Sequence, residues 1–203
     1  MQDCNCPPAT ELTDIPDDLC SFNMEQVQKF AFQRYQVTSP LDDTDILDLS
    51  AWQALLAISD DTKIVVTPFV GGSPAVKAGD KITTGGGDNT TLNGIEELNG
   101  IRPSSLTAIF KSLTPETEEA TQSLMCEKNL TVWFFLQGGR IAYLHLGVNE
   151  NKGFPIQSFF FSDRNNDGFG TKDTHNLSAE LVAGWSNKMK IVKPTTWNPL
   201  TDL

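Results

Sequence analysis

The sequence is poor in basic residues and in histidine, and this shortage excludes several classes of function. Fifteen Lys and Arg stand against 26 Asp and Glu, so the formal net charge is −11, and there are only two histidines. A surface this acidic repels phosphate backbones, which argues against wrapping nucleic acid through basic contacts. DNA can still pass nearby without specific binding.

Long hydrophobic runs are also missing. The apolar stretches fall far short of the roughly 20 residues that a membrane helix requires. The start, MQDCNCPPATELTDIPDDLC, has neither a basic flank nor an apolar core, so no secretory signal is predicted. We therefore expect a protein that is made in the cytoplasm and has no membrane partner.

Cysteines are few, and their spacing is poor for metal binding. Cys4, Cys6 and Cys20 cluster near the start, whereas Cys126 is remote from them. A zinc site needs four ligands, and here neither paired Cys-x-x-Cys spacing nor a nearby histidine supplies them. We predict that the cysteine thiols are reduced and that the protein has no metal cofactor.

No residue pattern indicates an enzyme. Neither His145 nor His175 belongs to a nucleophile motif. The glycine-rich stretch TTGGGDNTTLNG, residues 83–94, lacks the Lys-Ser or Lys-Thr that completes a phosphate-binding loop. The acid pairs at 96–97 and 118–119 are interpreted as helix-start charges and solvated faces, because adjacency in sequence does not fix the separation that acid/base chemistry needs. We predict no catalytic residues.

Length and composition favour one mainly β domain. A chain of 203 residues suits a single β-rich domain, and 15 Gly with 11 Pro suit many turns. We expect an N-terminal arm at residues 1–23, one domain at 24–193, and a C-terminal arm at 194–203 that contains two prolines.

Periodicity predicts an α+β, mainly β fold of the β-sandwich or barrel-like type. The principal helix is expected at about 114–128, where Thr114 caps and Pro115 begins the first turn, and a shorter helix at about 50–58, capped by Ser50. The glycine-rich region 71–100 is expected to form a long loop or hairpin excursion with mobile tips. The expected strands cover 24–35, 62–70, 104–113, 130–136, 140–148, 154–162, 174–185 and 188–193.

Two kinds of strand are distinguished by their apolar pattern. The strand at 24–35 alternates, with Phe30 and Phe32 on one face and Lys29 and Gln33 on the other, as a half-buried strand does. The strands VWFFL and IAYLHL are apolar on both faces. Either both faces of such a pair are buried within the subunit, or one face is buried there and the other is buried against a neighbouring subunit.

The stretch FFFSDRNNDGFGTKD, residues 159–173, raises the question of a calcium loop. Asp163, Asn165 and Asp167 match the first half of the pattern D-x-[DN]-x-[DN]-G. The twelfth position, which should hold a bidentate acid, is Thr174, and the flanking segments are predicted strands rather than helices. A structural calcium ion in a hairpin loop stays an alternative, but turn chemistry explains the same residues and is preferred.

Most of the chain resembles the virion structural proteins of tailed bacteriophages, particularly those infecting Bacteroidetes hosts. The stretches that carry the resemblance are QVQKFAFQR, WQALLAISDDTKIVVTPF, GGGDNTTLNGIEELNG and AGWSNKMKIVKP. In architecture the chain is most similar to the major tail tube protein, a β-sandwich flanked by a helix, with a long loop and terminal arms.

The resemblance implies a subunit that self-associates into stacked rings, which form a tube through which DNA passes without specific binding. It implies a virion location, contacts with other tail or head-completion proteins, and neither cofactor nor catalytic residues. Another ring-forming or capsid-decorating virion protein is the first alternative. A calcium-dependent β-sandwich binding module, favoured only by the loop at Asp163, is the second.

Overall fold

The computed structural model describes residues 23–39, 41–87 and 89–203, and it shows a mainly antiparallel β protein. The predicted N-terminal arm, apart from Asn23, lies outside the described residues. Within them the strands are β1 Val27–Arg34, β2 Ile64–Val66, β3 Gly71–Lys77, β4 Lys81–Thr84, β5 Glu97–Ile101, β6 Ser104–Lys111, β7 Leu130–Leu136, β8 Arg140–Gly147, β9 Glu150–Lys152, β10 Phe154–Phe161, β11 Thr174–Leu181 and β12 Met189–Val192.

Both predicted helices are present. They are α1, Leu49–Ala57, and α2, Pro115–Ser123, and a 3-10 turn at Leu124–Cys126 continues α2. Thr114 caps α2 by accepting a hydrogen bond from the Thr117 N–H at 3.3 Å. The prediction that Ser50 caps the first helix is wrong, because Asp48 accepts from the Ser50 N–H at 3.1 Å and Ser50 lies inside the helix.

Ten strands of the described chain form one antiparallel sheet, which divides at β10 into two halves. The central half has the order β2-β1-β7-β8-β12, with β9 beside β8, and the outer half has the order β10-β11-β6-β3. Phe154 and Pro155, at the start of β10, pair with β7. From Ile156 onward, past a bulge, the same strand pairs with β11. One strand thus connects the two halves.

The first core lies between the two halves, as in a sandwich. Phe30 from the central half contacts Phe110 from the outer half, with ring centroids 6.4 Å apart. Phe161 then packs on Phe110 at 5.9 Å. The buried apolar side chains of this core come from β1, β7 and β8 on one side and from β6, β10 and β11 on the other. The predicted sandwich architecture is confirmed.

A second core covers the opposite face of the central half. Trp52 of α1 is fully buried, and its ring lies 5.3 Å from that of Trp133 and 5.5 Å from that of Phe135. Trp197, near the end of the chain, joins this core and donates its Nε1–H to the Leu47 carbonyl at 2.7 Å. The apolar strands β7 and β8 are therefore buried on both faces by their own chain, and no neighbour is needed to cover them.

One prediction fails because of this second core. The strand β1 is buried on both faces rather than one, since Lys29 and Gln33 are also buried. Lys29 donates to the Leu203 carbonyl at 2.9 Å, and burial lowers its pKa. Residues 194–203, the predicted C-terminal arm, lie against the domain through Trp197 and the partly buried Leu200 and Leu203.

The predicted excursion is shorter than expected. Residues 71–77 form β3, whose Ala75 and Val76 pair with Thr107 and Leu106 of β6, so this segment belongs to the outer half. Only the stretch between β3 and β6 leaves the sheet, and it forms a hairpin of β4 and β5. The expected strand at 62–70 is also shorter, since regular pairing with β1 ends at Val66. Beyond it only the Thr67 and Val70 N–H groups still donate to β1, and pairing with β6 begins at Gly71.

The sheet does not close into a barrel within the described residues. Between β1 and β3 a backbone hydrogen bond from Val70 N–H to the Gln28 carbonyl, 2.8 Å long, spans the open side without forming a paired ladder.

In the described part of the chain no helix is long and apolar enough to cross a membrane.

Removing the Trp52 side chain tests the second core. The Trp52→Ala variant should lose about 3–5 kcal/mol of unfolding free energy, because it leaves a large cavity against Trp133 and Phe135. Gln53→Ala, one residue along the same helix but exposed, should change stability by less than about 0.5 kcal/mol. Urea unfolding followed by tryptophan fluorescence measures both, and equal effects would contradict the second core.

Candidate assembly surfaces

The hairpin of β4 and β5 is the first candidate surface. Within the described residues these two strands pair with each other and with no strand of the main sheet. Leu92 and Ile95, in its loop, are 81% and 62% exposed, and Leu98 and Ile101 on β5 are also exposed. The hairpin therefore holds four exposed apolar side chains away from both cores.

The root of this hairpin is tightly fitted. The Arg102 N–H donates to the Asp80 carbonyl at 2.9 Å, which joins the two strands at the base. A Cβ added to Gly79 would lie 1.9 Å from the Arg102 carbonyl oxygen, so only glycine fits there. Farther out, Lys81 and Glu96 form an exposed ion pair at 2.8 Å. The hairpin thus leaves the sheet in a defined direction.

Its tip contains glycines in a left-handed backbone conformation. Gly85, Gly86 and Gly87 all have positive φ, between 83° and 105°, a region that other residues rarely adopt. Asn93 has φ 59°, and Gly87 N–H donates to the Gly94 carbonyl at 3.1 Å. The tip is therefore a turn of left-handed residues that presents Leu92 and Ile95.

The loop between β10 and β11 is the second candidate surface, and Arg164 organises it. The guanidinium donates to Glu118 Oε2 at 2.8 Å, to Asp173 Oδ2 at 3.1 Å and to the Leu113 carbonyl at 2.9 Å. The hydrogen bond from Arg164 holds the pKa of the Asp173 carboxyl below its usual value. The Arg164 side chain thus joins the loop to α2 and to the segment that follows β6.

The residues of the predicted calcium pattern have other partners. Asp163 accepts from Gln122 Nε2 at 3.1 Å, and Asn165 donates its side-chain amide to Asp167 at 3.0 Å. The backbones of Asn165 and Thr174 exchange two hydrogen bonds of 2.8 and 2.9 Å. The described residues contain no cluster of three acidic, His or Cys side chains suited to a metal ion, and the preference for a turn over a calcium loop stays a prediction.

Phe169, at the apex of this loop, is fully exposed. Glycines with positive φ stand on either side of it, at 168 and 170. The Gly168 N–H donates to the Asn166 side chain at 2.9 Å, and Thr171 Oγ1 donates back to the Gly168 carbonyl at 2.8 Å. The loop therefore holds an aromatic side chain outward on a hydrogen-bonded frame.

The two histidines lie in structural networks. His175 is buried and stacks on Phe161, with 5.5 Å between the ring centroids. Its Nδ1 lies 3.4 Å from the Ser162 carbonyl. His145 Nδ1 lies 2.8 Å from the side-chain oxygen of Asn151. The side-chain amide nitrogen of Asn151 in turn donates to Asp43 Oδ1. His175 thus packs in the first core, and His145 belongs to a polar network that joins β8 and β9 to Asp43.

Sequence reasoning missed a groove on the open side of the sandwich, between β1, β3 and the turn before β12. The cavity has a volume of about 540 Å³. Its apolar lining residues pack directly against the first core, and Trp185 contacts Phe154 with ring centroids 5.0 Å apart. No local pattern could have found it, because it forms where distant segments meet. Its apolar lining is Met24, Val27, Pro74, Val76, Trp185 and Met189.

Neither the protein-family models nor the curated proteins compared with this chain match it. What the protein does is therefore inferred from its own surfaces.

Substituting Gly79 tests the root of the hairpin. In Gly79→Ala the new methyl group collides with the Arg102 carbonyl, so the root must open at a cost of about 1–3 kcal/mol in stability. The Arg102 amide should also exchange faster with deuterium, because its bond to Asp80 is lost. Gly147→Ala is the control, since its new Cβ would meet only a Glu150 oxygen at 3.7 Å. Unchanged exchange at Arg102 would contradict the tight root.

Calcium titration tests the loop at Asp163. We expect no saturable binding in the micromolar range by calorimetry, because the twelfth position of the pattern is Thr174 rather than a bidentate acid, and Asp163 and Asp167 accept hydrogen bonds from Gln122 and Asn165. A saturable signal that Asp163→Ala and Asp167→Ala abolish would contradict this expectation and favour the calcium-dependent binding module.

Proposed function

We propose that this protein is a virion structural protein, the subunit of a phage tail tube that assembles into stacked rings around a DNA conduit. The observation that carries the proposal is the hairpin of β4 and β5, which extends from a sandwich whose apolar strands β7 and β8 are covered on both faces. Its location would then be the virion tail, and its partners other copies and neighbouring tail or head-completion proteins.

The hairpin supports self-association through the cost of its exposed apolar surface. Burying such surface yields about 25 cal/mol per Å², so side chains such as Leu92 and Ile95 gain stability only when a partner covers them. In the described subunit the gap between β3 and β6 could be closed by a short turn. A hairpin that reaches outward from a tight root and ends in Leu92 and Ile95 is therefore better explained by a contact between subunits.

The charge of the chain supports a conduit. A net charge of −11 leaves many carboxylates at the surface, and pairs such as Lys81–Glu96 neutralise only some of them. An acidic wall repels the phosphates of DNA, so DNA slides past without adhering. The same charge fits other ring-forming or capsid-decorating virion proteins, which remain the alternative within this class.

Shortening the hairpin tests the proposal directly. Lys81 and Ile101 are paired residues, so replacing residues 82–100 by Asn-Gly closes the hairpin with a two-residue turn. The variant should fold with wild-type stability, because both cores are intact. It should stay monomeric in sedimentation velocity at concentrations where the wild type forms rings or longer assemblies.

A point substitution separates the apolar contact from the length of the hairpin. Leu92→Asp should raise the concentration needed for assembly by tenfold or more, as loss of an interface anchor does. Val148→Asp is the matched control, since Val148 is 83% exposed but lies in the turn between β8 and β9. Assembly that survives both the short hairpin and Leu92→Asp would overturn the role of the hairpin.

A further inference from the structure

We propose that Asn93, in the tip of the β4–β5 hairpin, is a site of spontaneous deamidation, and that the carboxylate formed there weakens the contacts of the hairpin. The tetrapeptide Leu-Asn-Gly-Ile occurs twice in the chain, at residues 92–95 and 98–101. An asparagine that precedes glycine is prone to this reaction, because glycine has no side chain to shield its amide nitrogen. The two copies share the same local chemistry and differ only in the structure around them.

The reaction needs water as its only co-reactant. The Gly94 amide nitrogen attacks Asn93 Cγ, a bond forms between these two atoms, and the bond from Cγ to Nδ2 breaks. Ammonia leaves with the proton of the Gly94 N–H, and a cyclic imide remains. Water then opens the imide at Cγ to give aspartate, or at the backbone carbonyl carbon to give isoaspartate. Nothing is oxidised or reduced, and both products carry a carboxylate where Asn93 was neutral.

The first copy of the tetrapeptide lies in a turn that opposes this reaction only weakly. Asn93 is exposed, and within the described residues no hydrogen bond holds its side-chain amide. Its backbone has φ 59° and ψ 21°, and ring closure requires rotation about the ψ bond. The bonds that must yield are those from Gly94 N–H to the Thr91 carbonyl, 3.1 Å, and from Ile95 N–H to the Leu92 carbonyl, 3.4 Å. Exposed bonds outside a strand ladder open at little cost in free energy.

The second copy is held in the paired strands of the hairpin. Asn99 lies in β5, and its side-chain amide donates to Thr84 Oγ1 on β4. Gly100, whose nitrogen would have to attack, is buried and pairs with Ile82. The two strands must separate before this ring can close, so the small population of the opened hairpin limits the rate. The same tetrapeptide is therefore expected to react at two different rates in one molecule.

A carboxylate at position 93 would stand among the exposed apolar side chains of the hairpin. Leu92 precedes this position and Ile95 follows it closely, and both are exposed. Removing a carboxylate from water at an apolar contact costs more free energy than removing a neutral amide. Isoaspartate also adds a methylene group to the main chain and so changes the turn. This consequence rests on the proposed self-association through the hairpin, whereas the reaction itself does not.

Peptide mass spectrometry of the full-length protein, aged in mildly alkaline buffer, measures both sites at once. Digestion after lysine and glutamate places Asn93 and Asn99 in separate peptides, and deamidation changes the mass of each. In the folded protein Asn93 should react about tenfold faster than Asn99 or more, because Asn99 reacts only from the opened hairpin. In urea, where both copies are unfolded, the two rates should agree within about twofold. Equal rates in the folded protein would overturn the modification site, whether or not the protein assembles.

Sedimentation velocity then measures the effect of the new charge. Asn93→Asp should raise the concentration required for assembly by about fivefold or more, because its carboxylate must be desolvated beside Leu92. Asn93→Gly, which is neutral and tolerates φ 59°, should change this concentration by less than about twofold. Wild-type assembly that Asn93→Asp leaves unchanged would overturn the consequence of deamidation and leave the proposed function standing. A wild-type protein that stays monomeric would overturn the proposed function and, with it, this consequence, but not the modification site.

Discussion

The burial of β7 on both faces is the constraint on which the rest of the structure depends. Trp133 and Phe134 are neighbours in this strand, and they point into different cores. A strand of this kind needs a layer on each side, since each uncovered face would expose several large aromatic rings. The outer half of the sheet supplies one layer, and α1 with the chain end at Trp197 supplies the other.

This arrangement determines which surfaces are free for partners. Because α1 and the chain end at Trp197 cover the second face of the sheet, neither face of β7 and β8 is free to contact a partner. Among the exposed apolar side chains of the described residues, Leu92 and Ile95 lie on the hairpin and Phe169 lies on the loop between β10 and β11. Both features leave the outer half of the sheet as projections from ordered stems. If copies contact one another through these projections rather than through the faces of the sheet, the domain itself stays rigid on assembly.

Local signals predicted the elements well, and long-range contacts limited the rest. Thr114-Pro115 marked the start of α2, and Gly138-Gly139 marked the β7–β8 hairpin, because caps and tight turns depend on neighbouring residues. The alternation in β1 did not reveal that Lys29 would be buried under the chain end. Nor could the glycine content of region 71–100 show that β3 pairs with β6. The groove was invisible in the sequence because its lining comes from three distant segments, whereas the exposed Phe169 was part of a stretch already singled out for its acids.

Electron microscopy of the concentrated full-length protein tests the central claim most directly, namely that this subunit is built to join copies of itself through the β4–β5 hairpin. The account predicts rings or tubes, in which a map places the β4–β5 hairpin at contacts between subunits. Monodisperse monomers at high concentration would contradict it, as would rings in which the hairpin points into solvent.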